Sequence, residues 1–134
     1  AIVNDRAMLE SCERFKVAKE FLKPYQGQYL SETQARELIH QCGIRTFPRP
    51  AGIPDNFRVK FSDRGAGMKY VHPENHHTNV RVMPGKPHSS FPYQRNPYVI
   101  HMRDGKTLNK FGNIVPSDSP EAHIPLEDFI YRSN

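Results

Sequence analysis

The spacing of apolar residues changes once along this chain, and that change restricts the folds open to it. As far as residue 42 the apolar side chains recur three and four apart, and from residue 68 they alternate. The first pattern buries one stripe of a helix and the second buries one face of a strand. Helices first and strands afterwards make an α+β domain.

The pattern predicts two helices. Over residues 4–23, Met8, Cys12, Phe15, Ala18 and Leu22 share a face; Asn4 or Asp5 can cap the start, and Lys23-Pro24 ends it. Ser31 opens the second helix, with Gln34 three residues on as a capping box. Ala35, Leu38, Ile39 and Cys42 form its stripe, and Gly43 stops it. Cys12 and Cys42 fit neither a CxxC pair nor a metal site, so reduced core thiols are expected, with a helix–helix disulfide as the other reading.

Residues 44–67 carry Pro48, Pro50, Pro54, Gly65 and Gly67, which predicts an ordered loop with a short strand at 57–61. Strands follow at 68–72, 78–83 and 98–103, and Asp104-Gly105 is a two-residue hairpin signal leading into 106–110. Four prolines make 84–97 a loop, and 124–131 is a last short strand or turn. The expectation is a helical hairpin packed on a mostly antiparallel sheet of about four strands. All 134 residues form one domain, with a helical part at 1–45 and a sheet-bearing part at 57–132. No stretch approaches the ~20 apolar residues of a membrane span, and the start lacks a signal-peptide pattern.

Charge is unevenly distributed. Net charge is +1 over residues 1–55, +7 over 56–110 and −3 over 111–134, and six of the seven histidines lie at or beyond position 72. A basic middle segment of this kind suits a phosphate-rich partner. Residues two apart on a strand share a face. The sequence therefore groups His77, Asn79 and Arg81 on one strand and His101 and Arg103 on another. The opposite faces, Val80/Val82 and Tyr98/Ile100/Met102, are expected to pack on the core. If the two strands are neighbours, two imidazoles and two guanidiniums meet on the exposed side.

That set matches RNA cleavage without a metal. A base takes the ribose 2′-OH proton, an acid protonates the leaving 5′-oxygen, and cations hold the phosphoryl oxygens. His77 and His101 are the expected acid–base pair, with Arg81 and Arg103 on the phosphate. His123 either closes over the site as a further proton-transfer group or is a loop histidine bonded to backbone. Lys60, Lys69, Lys106 and Asn79 are candidate substrate contacts, and Tyr70, Tyr93 and Tyr98 are available for base stacking. Tyr98 also suits the core. His72, His76, His77 and His88, with Glu74 nearby, admit a metal-dependent HNH-like nuclease reading, although their spacing is compressed. The leading reading needs no cofactor and no metal.

From Gly67 onward four segments carry a resemblance. They are Lys69-Tyr-Val-His-Pro-Glu-Asn-His-His-Thr-Asn-Val-Arg-Val-Met-Pro-Gly85, Asn96-Pro-Tyr-Val99, Lys110-Phe-Gly-Asn-Ile-Val115 and Ser119-Pro-Glu-Ala-His-Ile-Pro-Leu126. Together they resemble the C-terminal toxin modules of bacterial polymorphic and contact-dependent growth-inhibition systems, of the barnase–EndoU–RelE-like ribonuclease group. The resemblance implies N-terminal helices before an antiparallel sheet with its site on the open face. It also implies metal-free cleavage of RNA, tRNA foremost, in the cytoplasm of a target cell after secretion or cell-surface delivery. A cognate immunity protein is the implied inhibitor of an otherwise monomeric module. The alternatives are a DNase of the same lifestyle and an RNA-binding module without catalysis.

Overall fold

The computed structural model describes residues 13–63 and 66–132. The first helix, α1, is helical over residues 13–22 of that range. Its expected cap, Met8 and Cys12 fall outside the described residues. Ala18 and Leu22 are completely buried, and Phe15 packs beside them. Pro24 turns the chain into a short 3-10 segment at Lys23–Tyr25. The second helix, α2, spans Glu32–Gln41. The Ser31 hydroxyl accepts the Gln34 N–H at 3.1 Å, as the capping reading expects, and Gly43 leaves the helix at a φ of +75°. Cys42 is a free, half-buried thiol bonded to the Leu38 carbonyl, and burial raises its pKa.

Six strands make one antiparallel sheet, more than the four or so expected. They are β1 (Arg58–Phe61), β2 (Met68–Val71), β3 (Asn79–Met83), β4 (Tyr98–Arg103), β5 (Lys106–Leu108) and β6 (Ile124–Pro125). The first five are ordered as in the sequence, and β6 pairs with β4 beside Tyr98 and Val99. Each strand falls within a segment the sequence offers as one, and β6 keeps only two residues of the 124–131 segment. Asp104 and Gly105 at φ of +51° and +81° form the tight turn between β4 and β5, as the hairpin signal predicts. Gly85 ties the 84–97 loop shut: a Cβ there would lie 2.6 Å from the Asn96 backbone.

The helices cover one face of this sheet. Val59, Phe61, Met68, Tyr70, Val80, Val82, Val99 and Ile124 join Ala18, Leu22, Ala35 and Ile39 in the main core. On the other face Met83, Tyr98, Ile100 and Met102 form a smaller apolar cluster. This corrects the expected facing of β4. Val82 pairs with Val99 and Val80 with His101, so Val99 and His101 lie on the helix side. The strand is apolar on both faces, so alternation alone could not orient it; the pairing register does. Among the described residues no helix is long and apolar enough to cross a membrane.

Candidate active site

The face away from the helices carries a row of cations at one level. Lys60 on β1 stands directly opposite Lys69 on β2, and Lys69 directly opposite Arg81 on β3. At about 4.8 Å between strands, the three backbones span about 10 Å. The row extends at both ends. Leu30 bridges Val59, which sets Tyr29 beside Lys60; the Arg58 guanidinium lies 3.7 Å from the centre of the Tyr29 ring, and Lys60 lies 5.7 Å from it. Beyond Arg81 come Ile100 on β4 and then His123, one residue ahead of the Ile124–Val99 pair.

Like charges placed directly opposite across a sheet destabilise it. Among the described residues Lys60 and Lys69 make no ion pair; the ion pairs found there join Glu32 to Arg36 and Arg49 on the other side of the sheet. Burial lowers the Lys69 pKa; the Asp63 carboxylate opposes this, while Lys60 and Arg81 lower it further. Such a row sets like charges against one another, a break with a local rule of sheet construction of the kind found at functional positions.

His123 is held at the end of the row. Its ring lies 4.6 Å from Tyr93 and 4.8 Å from Tyr98, centre to centre. The Tyr93 hydroxyl in turn donates to the Asp118 carbonyl, tying the 84–97 loop to the segment that leads into His123. The His123 Nδ1 is 2.9 Å from the Ser119 carbonyl oxygen. A carbonyl only accepts, so Nδ1 carries the proton and Nε2 keeps its lone pair when the ring is neutral. Burial lowers the pKa; the Ser119 carbonyl opposes this, and Arg81 adds to the lowering. The result is a neutral imidazole with its tautomer set, within electrostatic reach of a guanidinium. His123 is thus bonded to backbone, as one reading expects, and stands at the level of the row.

The structure separates the four residues expected to converge. Arg81 lies in the row, but His101 and Arg103 project from the helix side of β4. His101 is 4% exposed, packed 5.6 Å from Phe129 and 5.1 Å from Tyr131, and its Nε2 has no hydrogen-bond partner. Burial, with a contribution from Arg103, brings its pKa down to about 4. Arg103 donates to the Arg132 carbonyl, and exposed Lys106 pairs with Arg103 at the far edge. His77 is exposed in the turn before β3, against the ring of His76 at 4.1 Å. It lies four residues from Arg81, about 13 Å along a strand. His77 and His101 are thus not a pair across one open surface.

Two proposed substrate contacts have structural tasks instead. Tyr70 points into the main core, where its hydroxyl donates to Glu32 at 2.9 Å and Arg49 covers its ring; burial and Glu32 raise its pKa. Asn79 shares the face of Arg81 but is buried, and its amide donates to the His76 carbonyl at 3.0 Å. The His72 Nδ1 accepts the backbone N–H groups of Glu74 and Asn75. Among the described residues no three of His, Cys, Asp and Glu come together as metal ligands.

What remains together is Lys60, Lys69, Arg81 and His123, flanked by Tyr93 and Tyr98, with Tyr29 and Arg58 at the outer end. This arrangement can hold phosphoryl oxygens and move a proton beside them. Tyr29 escaped the sequence reading because its place depends on one bridge to β1. No family model, curated protein or solved structure matches the chain.

Proposed function

We propose that the chain is a metal-independent endoribonuclease. The observation that carries this reading is the row Lys60–Lys69–Arg81, ending beside a neutral histidine with Nε2 available. Opposed cations gain stability when an anion lies between them, and a phosphodiester is such an anion. His123 Nε2 takes the proton from a ribose 2′-OH. The 2′-oxygen attacks the adjacent phosphorus and the bond to the 5′-oxygen breaks. The departing oxygen takes a proton from the Lys69 ammonium, made a better acid by its surroundings. Arg81 and Lys60 hold the non-bridging oxygens. The products are a 2′,3′-cyclic phosphate and a free 5′-hydroxyl.

The likeness to growth-inhibition toxin modules supports tRNA as the substrate and delivery into a target cell as the context. An acidic immunity protein fits the same face, since complementary charge speeds association.

The test is incubation of the purified chain with total tRNA in the presence of EDTA. We expect discrete fragments with cyclic-phosphate ends, and a loss on the order of a hundredfold or more for His123→Ala and for Arg81→Ala. Wild-type rates in both variants would refute the assignment, and abolition by EDTA would favour the metal-dependent reading.

A further inference from the structure

The 84–97 loop is closed on itself before it reaches His123. The Lys86 N–H donates to the Gln94 carbonyl at 2.7 Å, the Ser89 hydroxyl to the Gln94 side-chain oxygen at 3.0 Å, and the Arg95 Nε to the Ser89 carbonyl at 2.9 Å. Gly85 and Asn96 bring its two ends together. Such a loop is compact and packed by its own side chains, so a residue it carries has one place to be. Tyr93 sits in its 3-10 turn, Pro92–Gln94. The Tyr93 ring lies 5.5 Å from Phe91 and 4.6 Å from His123, half-buried against protein rings rather than held open to a nucleobase.

The hydroxyl adds direction. It donates to the Asp118 carbonyl at 3.2 Å. That carbonyl and the Ser119 N–H belong to one planar peptide, and the N–H donates to the Pro116 carbonyl at 3.1 Å. Tyr93 thus fixes one edge of the peptide and Pro116 the other. The next carbonyl, that of Ser119, accepts the His123 Nδ1–H at 2.9 Å and the N–H of buried Ala122 at 3.2 Å. Residues 116–118, 120 and 121 are exposed. The turns within this stretch are local, whereas the bond from Tyr93, 25 residues away, fastens it to another part of the chain.

We infer that Tyr93 is a positioning residue for His123: its hydroxyl, acting through the Asp118–Ser119 peptide, keeps the Ser119 carbonyl on Nδ1, and its ring keeps the imidazole level with the row. The inference rests on the ribonuclease reading and deepens it by naming what keeps the base in its working form. A neutral imidazole carries its proton on either nitrogen. Only the Nδ1–H form leaves Nε2 free to take the ribose proton, so loosening the Ser119 carbonyl withdraws part of the population from reaction. Tyr93 acts on the base and not on the cations that hold the phosphate, so the loss falls on kcat and spares KM.

The experiment compares Tyr93→Phe, which keeps the ring and loses the hydroxyl, with Tyr93→Leu, which loses both. Nitrogen NMR of the isotope-labelled free protein reads the His123 tautomer and pKa without reference to cleavage, and steady-state cleavage of tRNA reads kcat and KM. We expect Tyr93→Phe to lower the Nδ1–H population and to cost about tenfold in kcat, the low end for losing a partner that orients an imidazole, with KM within about twofold. Tyr93→Leu should also move the His123 pKa up toward the ordinary histidine value, since burial is what lowers it, and carry the acid limb of the rate profile with it. A wild-type tautomer and pKa in both variants would overturn the inference, whatever happens to cleavage. A rise in KM at constant kcat would return Tyr93 to base stacking and overturn it too. The ribonuclease reading fails separately, if His123→Ala cleaves tRNA at the wild-type rate while the NMR changes stand.

Discussion

Lys69 stands between two like charges, so removing its charge should stabilise the fold while damaging the site. Methionine at this position retains the length of the aliphatic stem and loses the ammonium. Two unit charges about 6 Å apart in water repel by about 0.7 kcal/mol. Lys69 faces Lys60 on one side and Arg81 on the other, so the two contacts come to about 1.4 kcal/mol. Asp63, the carboxylate that attracts Lys69, returns part of this. Lys69→Met should therefore gain about 1 kcal/mol, or about 4 °C in Tm for a domain of this size. The assay is thermal unfolding at low ionic strength, where the screening length is about 30 Å, and at about 1 M salt, where it is about 3 Å. The gain should be present in the first condition and largely gone in the second. Added inorganic phosphate should raise the Tm of the wild type more than that of the variant. A variant no more stable than wild type at low salt would refute the claim that the row is strained. A gain that persisted in high salt would assign the effect to apolar contact instead.

Two further outcomes follow. Cleavage rate against pH should be bell-shaped, rising with loss of the His123 proton below the ordinary histidine value and falling with loss of the Lys69 proton below the ordinary lysine value; Lys69→Met should lose the alkaline limb, and an unchanged limb would remove Lys69 as the acid. His101 stays neutral in the fold down to about pH 4 but binds a proton near pH 6.5 when unfolded. Stability should therefore fall by up to about 3 kcal/mol as pH drops through that window. Denaturant titrations of His101→Leu should show a flatter pH dependence with cleavage retained; an equally steep one would contradict the burial argument.

The candidate site was legible in the sequence as an inventory more than as an arrangement. The +7 segment, the Arg81 strand, Lys60, Lys69 and His123 were all visible as residues suited to phosphate chemistry. Pairing His101 with His77 failed because the faces of β4 cannot be told apart by composition: Tyr98, Val99, Ile100 and Met102 are apolar on both sides. On β3, where Val80 and Val82 alternate with Asn79 and Arg81, the predicted faces match those observed. Tyr29 carries no local signal, because an aromatic residue in a loop reads the same whether it is covered or held out into water.

Local physics written in the chain determined the elements. Apolar spacing, the Ser31 cap, the Gly43 stop and the Asp104-Gly105 turn depend on neighbours within a few residues, and each is found where the sequence places it. Tertiary structure alone decided which charges meet. Opposition of Lys60, Lys69 and Arg81 is set by the register between consecutive strands, and the approach of His123 is set by the pairing of β6 with β4. Register follows from burying the most apolar face against the helices, a sum over the whole sheet that no single segment contains.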